Sequence, residues 1–449
     1  MLRIGWASCD ATPDRPAMLQ GQMHVRVARE AMDPLTVTAL AIEGGRPEDQ
    51  AILISCDLAL ISDALQDSVR QRLARTLPIV PAKVFLCATH THTSLVFQDG
   101  FYVHPGGNVM TADECLALLI DRAAEAATEA WNSRSPQRSA RAFGHAVVGH
   151  NRRAAYFDGT AQMYGQTNRP DFSHIEGYED HSLDMLFTWD GGGQLSGVAL
   201  VIPCPSQVDE GMERFSADFW HEIRTELRSR HGKHLQVLAL CGAAGDQSPH
   251  FLLYGRQEEE MRRRRGLSER QEIAVRVADA VDHALACTKP QDGDAPFAHV
   301  VQHLLLPPRK ISRHERDWAK AEHDRAIAHM DPKSWWPDRL MSVVNQFDGL
   351  ETAEPFPIEM HVLRIGDAVL ATNPFELYVD YGLRIKARST AAQTLIVQIA
   401  AGTGWYLPTE RAVQGGGYGA IPAVSRVGPE GGQQLVEETL KMIQGLFPS

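Results

Sequence analysis

His90 and His92, one residue apart in the run Ala88-Thr-His-Thr-His-Thr-Ser94, are the pair in this chain best suited to hold a metal ion. They follow Val84, Phe85, Leu86 and Cys87, an apolar run that reads as a buried strand ending at an open rim. Side chains alternate across an extended backbone, so a strand continued through this stretch aims both imidazoles at one volume. An isolated His-x-His is as often a polar strand end as a ligand pair, and the other chemistry-bearing residues must decide.

Two further stretches repeat the pattern of a strand that runs out into reactive groups. In Val198-Ala-Leu-Val-Ile-Pro-Cys-Pro-Ser206, the apolar run stops at Pro203 and Cys204 is presented between two prolines, although a free cysteine is more often a small buried hydrophobe. In Leu235 to Cys241 and the following Gly242-Ala-Ala-Gly-Asp246, the glycines allow close approach of backbone to a ligand, and successive N–H groups suit an anion. Ser248 follows, ahead of Pro249; a plain glycine-rich turn fits the same residues. Asp57 directly follows the apolar run 51–56, where it is either a working group at a strand end or a loop cap.

Such groups need a scaffold, and the chain alternates strand-like and helix-like segments. Strands are predicted at 2–7, 35–42, 51–56 and 84–87, and helices at 63–77 and from Thr111, a cap with an acidic first turn, to Trp131. From 142 to 202 the pattern is richer in strands, with a hairpin through Asp190-Gly-Gly-Gly193. A helix opening at Ser216-Ala217-Asp218 and a strand at 235–241 come next. Two strands, the Asn373-Pro374-Phe375-Glu376 turn, a helix and a last strand at 394–400 complete the alternation before a glycine-rich end. This predicts an α/β fold of multilayer mixed sheets flanked by helices, one large catalytic domain over 1–449. Residues 255–357 read as a helical and irregular insertion, with 331–357, which contains Trp335 and Trp336, as a loop or lid.

A net charge of −12 disfavours nucleic acid or an anionic membrane as partner. The basic run Arg262 to Arg265 follows Glu258 to Glu260 and reads as a self-paired helix face. Seven scattered cysteines without a Cys-x-x-Cys, and an N-terminus without a signal-like segment, point to a cytoplasmic protein. No apolar run is long enough to span a membrane. The expected partner is a small-molecule substrate, with homo-oligomerisation left open.

Taken in order, these stretches resemble the catalytic domain of the neutral/alkaline (non-lysosomal) ceramidase family. Its THTHSG loop is similar to Thr89-His-Thr-His-Thr-Ser94, and its Asn-Arg turn to Asn151-Arg152 ahead of Ala155-Tyr156. Its SAD helix start resembles Ser216-Ala217-Asp218, its GDxSPN loop Gly245 to His250, and its PGEF turn Pro374 to Leu377. A YITT-like stretch is similar to Tyr406-Leu-Pro-Thr409. The family's continuation after THTHSG and its C-terminal domain have no counterpart here, so a diverged bacterial-type member is expected.

The resemblance implies one zinc ion held by His90, Glu376 and Tyr406, with Cys204 replacing the family's second histidine. It further implies His92 as general acid/base, Arg152 as oxyanion or substrate clamp, and Ser248 with the Asp246 loop positioning the substrate carbonyl. The expected activity is hydrolysis of an amide in a small soluble N-acyl compound by hydroxide generated at the zinc. A metal-dependent lactone or ester hydrolase, or a lyase on a sugar-like substrate, would need the same ligands. A non-catalytic binding protein on the same scaffold follows if the fourth ligand is lost.

Overall fold

The computed structural model describes residues 2–46, 48–290, 295–329 and 335–447. Its central strands, such as Gln50–Cys56, Val84–Ala88 and Ser182–Trp189, are buried on both faces because their sheets are covered on both sides. The first sheet contains β1 (Arg3–Asp10), β2 (Thr36–Glu43), β3 (Gln50–Cys56) and β4 (Val84–Ala88), in the order β4-β3-β2-β1, with the two-residue strand Ser135–Pro136 beyond β1. Only β3 and β4 run parallel. Ile52, Ile54, Val84 and Leu86 pack outward on helices α1 (Asp63–Leu73) and α2 (Ala112–Asn132). Their neighbours Ala51, Leu53, Phe85 and Cys87 face the centre of the molecule.

The second sheet repeats this plan with β5 (Arg138–His145), β6 (Ser182–Trp189), β7 (Leu195–Ile202) and β8 (Gln236–Cys241), ordered β8-β7-β6-β5, with β7 and β8 parallel. Helices α3 (Phe219–His231), α4 (Gly255–Arg265) and α5 (Glu269–Cys287) follow. Side chains of α3 and α5 cover the outer face at Val198, Leu200 and Ile202, while Ala199, Val201, Leu238 and Leu240 turn inward. Six later strands are β9 (Phe297–Leu306), β10 (Phe356–Ile365), β11 (Ala368–Thr372), β12 (Phe375–Leu377), β13 (Gln393–Val397) and β14 (Trp405–Leu407), and a small antiparallel sheet joins Ala161–Met163, Arg153–Tyr156 and Phe172–Ile175. The third sheet is β9-β10-β11-β13 with β11 and β13 parallel, and β12 and β14 form a separate parallel pair. Helices α6 (Arg313–His329), α7 (Trp335–Phe347), α8 (Val379–Arg388) and α9 (Pro429–Leu446) cover its outer face, and Leu363, Leu370, Leu395 and Val397 complete the shared centre.

The fold is therefore α/β, three mixed sheets around one core, each with helices outside. Each of these three sheets carries one parallel pair, and the chain leaves the carboxyl ends of these pairs into loops that are bonded to one another. Ala88 donates its N–H to Ile399 O at 3.1 Å, Gln398 to Cys241 O at 3.0 Å, and Ala400 to Asn373 O at 3.0 Å. Carboxyl ends of parallel strands are where α/β proteins place ligands.

Four expectations are modified. Residues 331–334 lie outside the described residues, but 335–347 form a helix whose buried Trp336, Leu340, Val343 and Val344 recur at helical spacing. Within 255–357, β9 pairs with β10 along its full length, as an integral strand of the third sheet. The glycine-rich end gives way to α9, whose Gly431 and Gly432 obscure a helical pattern. A Cβ at Gly432 would lie 2.3 Å from the Tyr381 ring of α8, so the glycine permits the close helix contact. Asp57 is structural: buried, it receives Arg224 Nη1 and Nη2 at 2.7 and 3.0 Å and the Thr36 N–H at 2.8 Å. Of the basic run, Arg263 and Arg264 pair with Glu260 at helical spacing as expected, whereas Arg262 and Arg265 reach Glu269 and Glu272 of α5.

Removing one partner of a buried ion pair strands the other charge. Arg224→Ala is expected to cost about 3–5 kcal/mol, read as a lower urea midpoint of unfolding.

Candidate active site

β4 ends at Ala88, two residues before the first histidine. His90 has a left-handed backbone, φ 62°, so the chain turns and does not continue the pleat. Both imidazoles still reach one cavity, with ring centroids 5.0 Å apart and planes at 86°. The turn, not strand alternation, brings them together. His90 Nδ1 lies 2.6 Å from Ala59 O. A carbonyl has no hydrogen to give, so Nδ1 donates and Nε2 is the ring nitrogen left to face the cavity. That Nε2 faces Glu376 Oε2 at 3.3 Å.

Glu376 sits on β12, a short strand where a turn is predicted, and its register partner on β14 is Tyr406. Parallel pairing sets carboxylate and phenol side by side. Gly245 supports this pair from behind: its N–H donates to Leu377 O at 2.8 Å, and a Cβ there would lie 2.3 Å from Glu376 O. The glycine-rich loop thus approaches protein backbone, not a ligand. Burial raises the Glu376 carboxyl, but His90, Tyr406 and Arg152 outweigh it and hold the group below the usual carboxylate range. Burial and then Glu376 push the Tyr406 phenol well up.

Arg152 leaves a two-residue strand in which Asn151 pairs with Gln247 and His150 with Ser248. Its Nη2 donates to Gly245 O at 2.9 Å and to Tyr406 Oη at 3.2 Å, and its Nη1 reaches Tyr164 Oη at 3.3 Å and Gln207 Oε1 at 3.4 Å. His92 is held by Gln207 Nε2, 2.9 Å from His92 Nε2. Glu210 bridges His92 Nδ1 at 3.5 Å and His250 Nε2 at 3.3 Å. Burial lowers the His92 imidazole to about 4, against the opposing pull of Glu210, which keeps the ring neutral at pH 7.

His90, His92, Arg152, Glu376 and Tyr406 line a cavity of about 420 Å³, with Gln207, Glu210 and Tyr164. Among the described residues, four of the seven non-glycine residues with positive φ also line it: His90, Tyr164, Ile399 and Trp405. Such strain persists where surrounding packing over-determines the backbone.

Three expected site residues stand behind the cavity. Cys204 is wholly buried in the second sheet's outer core, and its Sγ lies 3.4 Å from Pro205 O. Burial raises its thiol well above the usual value, so it stays neutral, and Gln207 presents the polar group to the cavity from this loop. Ser248 accepts from Tyr164 Oη at 3.1 Å and from the His250 N–H at 3.1 Å, and acts on the site only through Tyr164. Asp246 accepts from the Val379 N–H and Asn151 Nδ2, both at 2.9 Å, and ties the glycine-rich loop to α8. Gln207, Glu210 and Tyr164 carried no local signal; polar residues in a loop read as solvated.

Among the described residues, no three His, Cys, Asp or Glu side chains are gathered to hold a metal ion. Of the residues that line the cavity, His90 and Glu376 face each other at 3.3 Å, beside the Tyr406 phenol. Three protein donors with an open side match the count of a catalytic zinc site. His90 Nε2 and Glu376 Oε2, 3.3 Å apart, stand at a separation that a shared proton or a shared cation bridges. His90, Glu376 and Tyr406 thus fit one divalent ion, without Cys204.

Two outcomes follow from the supporting residues. In native protein, Ellman's reagent is expected to titrate the exposed Cys287, while Cys204 reacts only on unfolding. Burial raises Asp246 from 3.8 to about 6, so the folded state keeps a proton that the unfolded chain releases, and stability falls as pH rises through that window. Relative to Asp246→Asn, which carries no titrating group, wild type is expected to lose roughly 2 kcal/mol between pH 4 and 6, measured by urea unfolding.

Comparison with protein-family models and with curated proteins finds no match. Among solved structures, the chain is similar over 100% of its length to a neutral ceramidase from Pseudomonas aeruginosa, with a TM-score of 0.69 and 17% identity, covering 75% of that chain. It is similar in the same way to a ceramidase complexed with C2, with a TM-score of 0.69, 15% identity and 76% of that chain covered. The chain has a neutral ceramidase-like fold.

Proposed function

We propose that this chain is a hydrolase that cleaves the carbon–nitrogen bond of a small, soluble N-acyl compound. One observation carries this: two imidazoles, a carboxylate, a phenol and a guanidinium from separate parts of the chain face one cavity of about 420 Å³. The volume lies in the lower part of the roughly 300–1,000 Å³ range of ligand pockets, which favours a small substrate. The ceramidase-like fold supports an amide as the bond broken.

A divalent ion such as zinc, held by His90, Glu376 and Tyr406, would supply Lewis acidity and lower the pKa of water. The Arg152 guanidinium, its Nη hydrogens directed to Gly245 O, Tyr406 Oη, Tyr164 Oη and Gln207 Oε1, stabilises by its positive charge the negative charge that develops on the substrate's carbonyl oxygen. His92, neutral and positioned by Gln207, takes a proton from the attacking water and returns it to the departing nitrogen. Among the described residues, no helix is long and apolar enough to cross a membrane.

Metal analysis and release of amine from a panel of N-acyl compounds test the proposal. About one ion per chain and turnover of at least one member are expected, with His92→Ala lowering kcat/KM by about 100-fold or more. Glu376→Gln is expected to lose both the ion and the turnover. Full metal occupancy with no amine from any member sinks the amide reading, and turnover of esters or lactones alone reassigns the bond.

A further inference from the structure

Trp405 and Tyr406 are adjacent on β14, and a regular strand would turn their side chains to opposite faces. Both nevertheless line the cavity. The backbone of Trp405 has φ 60°, a conformation bulky residues seldom adopt, and it breaks the alternation. The strain therefore has a geometric result: an indole is set beside the phenol of the reacting end.

Other side chains hold that indole in place. The Arg339 guanidinium carbon lies 4.8 Å from its ring centroid. Trp335 and Phe101 have centroids 5.6 and 6.3 Å from it, inclined at 49° and 32°. Arg339 belongs to an outer groove with Ser62, Asp99 and Asp338, whereas Phe101, Trp335 and Trp405 line both the groove and the inner cavity. The cation thus covers the indole from the groove side. All three rings remain partly exposed, leaving ring surface toward the cavity uncovered. Nearby, Leu60, Pro374 and Ile399 are apolar, and the Thr403 hydroxyl is committed to Ile61 O at 2.5 Å. A sugar would find few free polar partners there, while tilted rings with centroids about 4.5–7 Å apart are a favourable setting for another ring.

We infer that Phe101, Trp335 and Trp405 form a subsite for a flat aromatic ring carried by the substrate, which makes the substrate an aryl or arylalkyl amide. The inference rests on the proposed role of this cavity as the substrate site.

Calorimetric titration of the full chain with phenylacetamide, cyclohexylacetamide and acetamide tests it, because the first two differ mainly in aromaticity. Phenylacetamide is expected to bind roughly 2- to 12-fold more tightly than cyclohexylacetamide, the range of a favourable ring contact. Trp405→Leu should abolish the preference and Trp405→Phe retain most of it. Phe101→Leu, in a different segment, should reduce it as well, which covers the case of a Trp405 variant that fails to fold. Equal or tighter binding of cyclohexylacetamide, no binding of phenylacetamide, or a folded Trp405→Leu variant with the preference intact would overturn the subsite. A ring preference without amine release from any amide keeps the subsite and removes the hydrolase. Amine release without a ring preference does the reverse.

Discussion

The Glu376 carboxylate, its side chain 16% exposed, faces the His90 imidazole at 3.3 Å, and the rest of the structure is arranged around that contact. Taking a carboxylate out of water costs several kcal/mol unless compensating groups meet it. Tyr406 sits beside it on the paired strand, and Arg152 reaches the same phenol from the segment that precedes the second sheet's central hairpin. His90 arrives from the first sheet. These groups come from distant parts of the sequence and must agree in position to within a hydrogen bond.

That agreement comes from the shared core. Each sheet places one parallel pair so that its carboxyl end points toward the others, and backbone bonds such as Ala401 N to Leu86 O, 2.9 Å, join the emerging loops. Close approach then matters more than flexibility: Gly245 has no room for a Cβ against Glu376. The left-handed residues on the cavity wall belong to the same economy, each costing of order 1–3 kcal/mol and each aiming a side chain that regular geometry would send elsewhere. Asp246, Ser248 and Cys204 form a supporting layer, where burial makes them matter for position while denying them contact with a ligand.

Much of this was legible in the sequence. The strands β1 to β4 and β6 to β8 stand out because both faces are buried, leaving nearly continuous apolar runs. Helix α2 announces itself through Thr111 and Glu114, which form the capping box seen in the structure. His90, Arg152, Glu376 and Tyr406 were singled out through the motifs that carry the resemblance, and all four line the cavity. Cys204 was misjudged because its place in a motif does not say how far its short side chain reaches; the cavity wall begins one layer beyond it. Gln207 and Glu210 follow within six residues, yet nothing in their types marks them as cavity-facing. Helix α7 was hidden by Pro337 and two adjacent tryptophans, and α9 by paired glycines that only their contact partners explain.

By itself the sequence determined the alternation of strands and helices, the double burial of the strands, and which donors are available at their ends. These follow from local periodicity and side-chain chemistry, which a linear chain displays directly. Tertiary structure decided which donors meet: His90 with Glu376, Arg152 with Tyr406, Gln207 and not Cys204 at the wall. It also decided that Trp405 turns to the same side as its neighbour. The physical reason is that convergence depends on how three sheets pack against one another and on single left-handed residues, and neither leaves a periodic trace in the order of the amino acids.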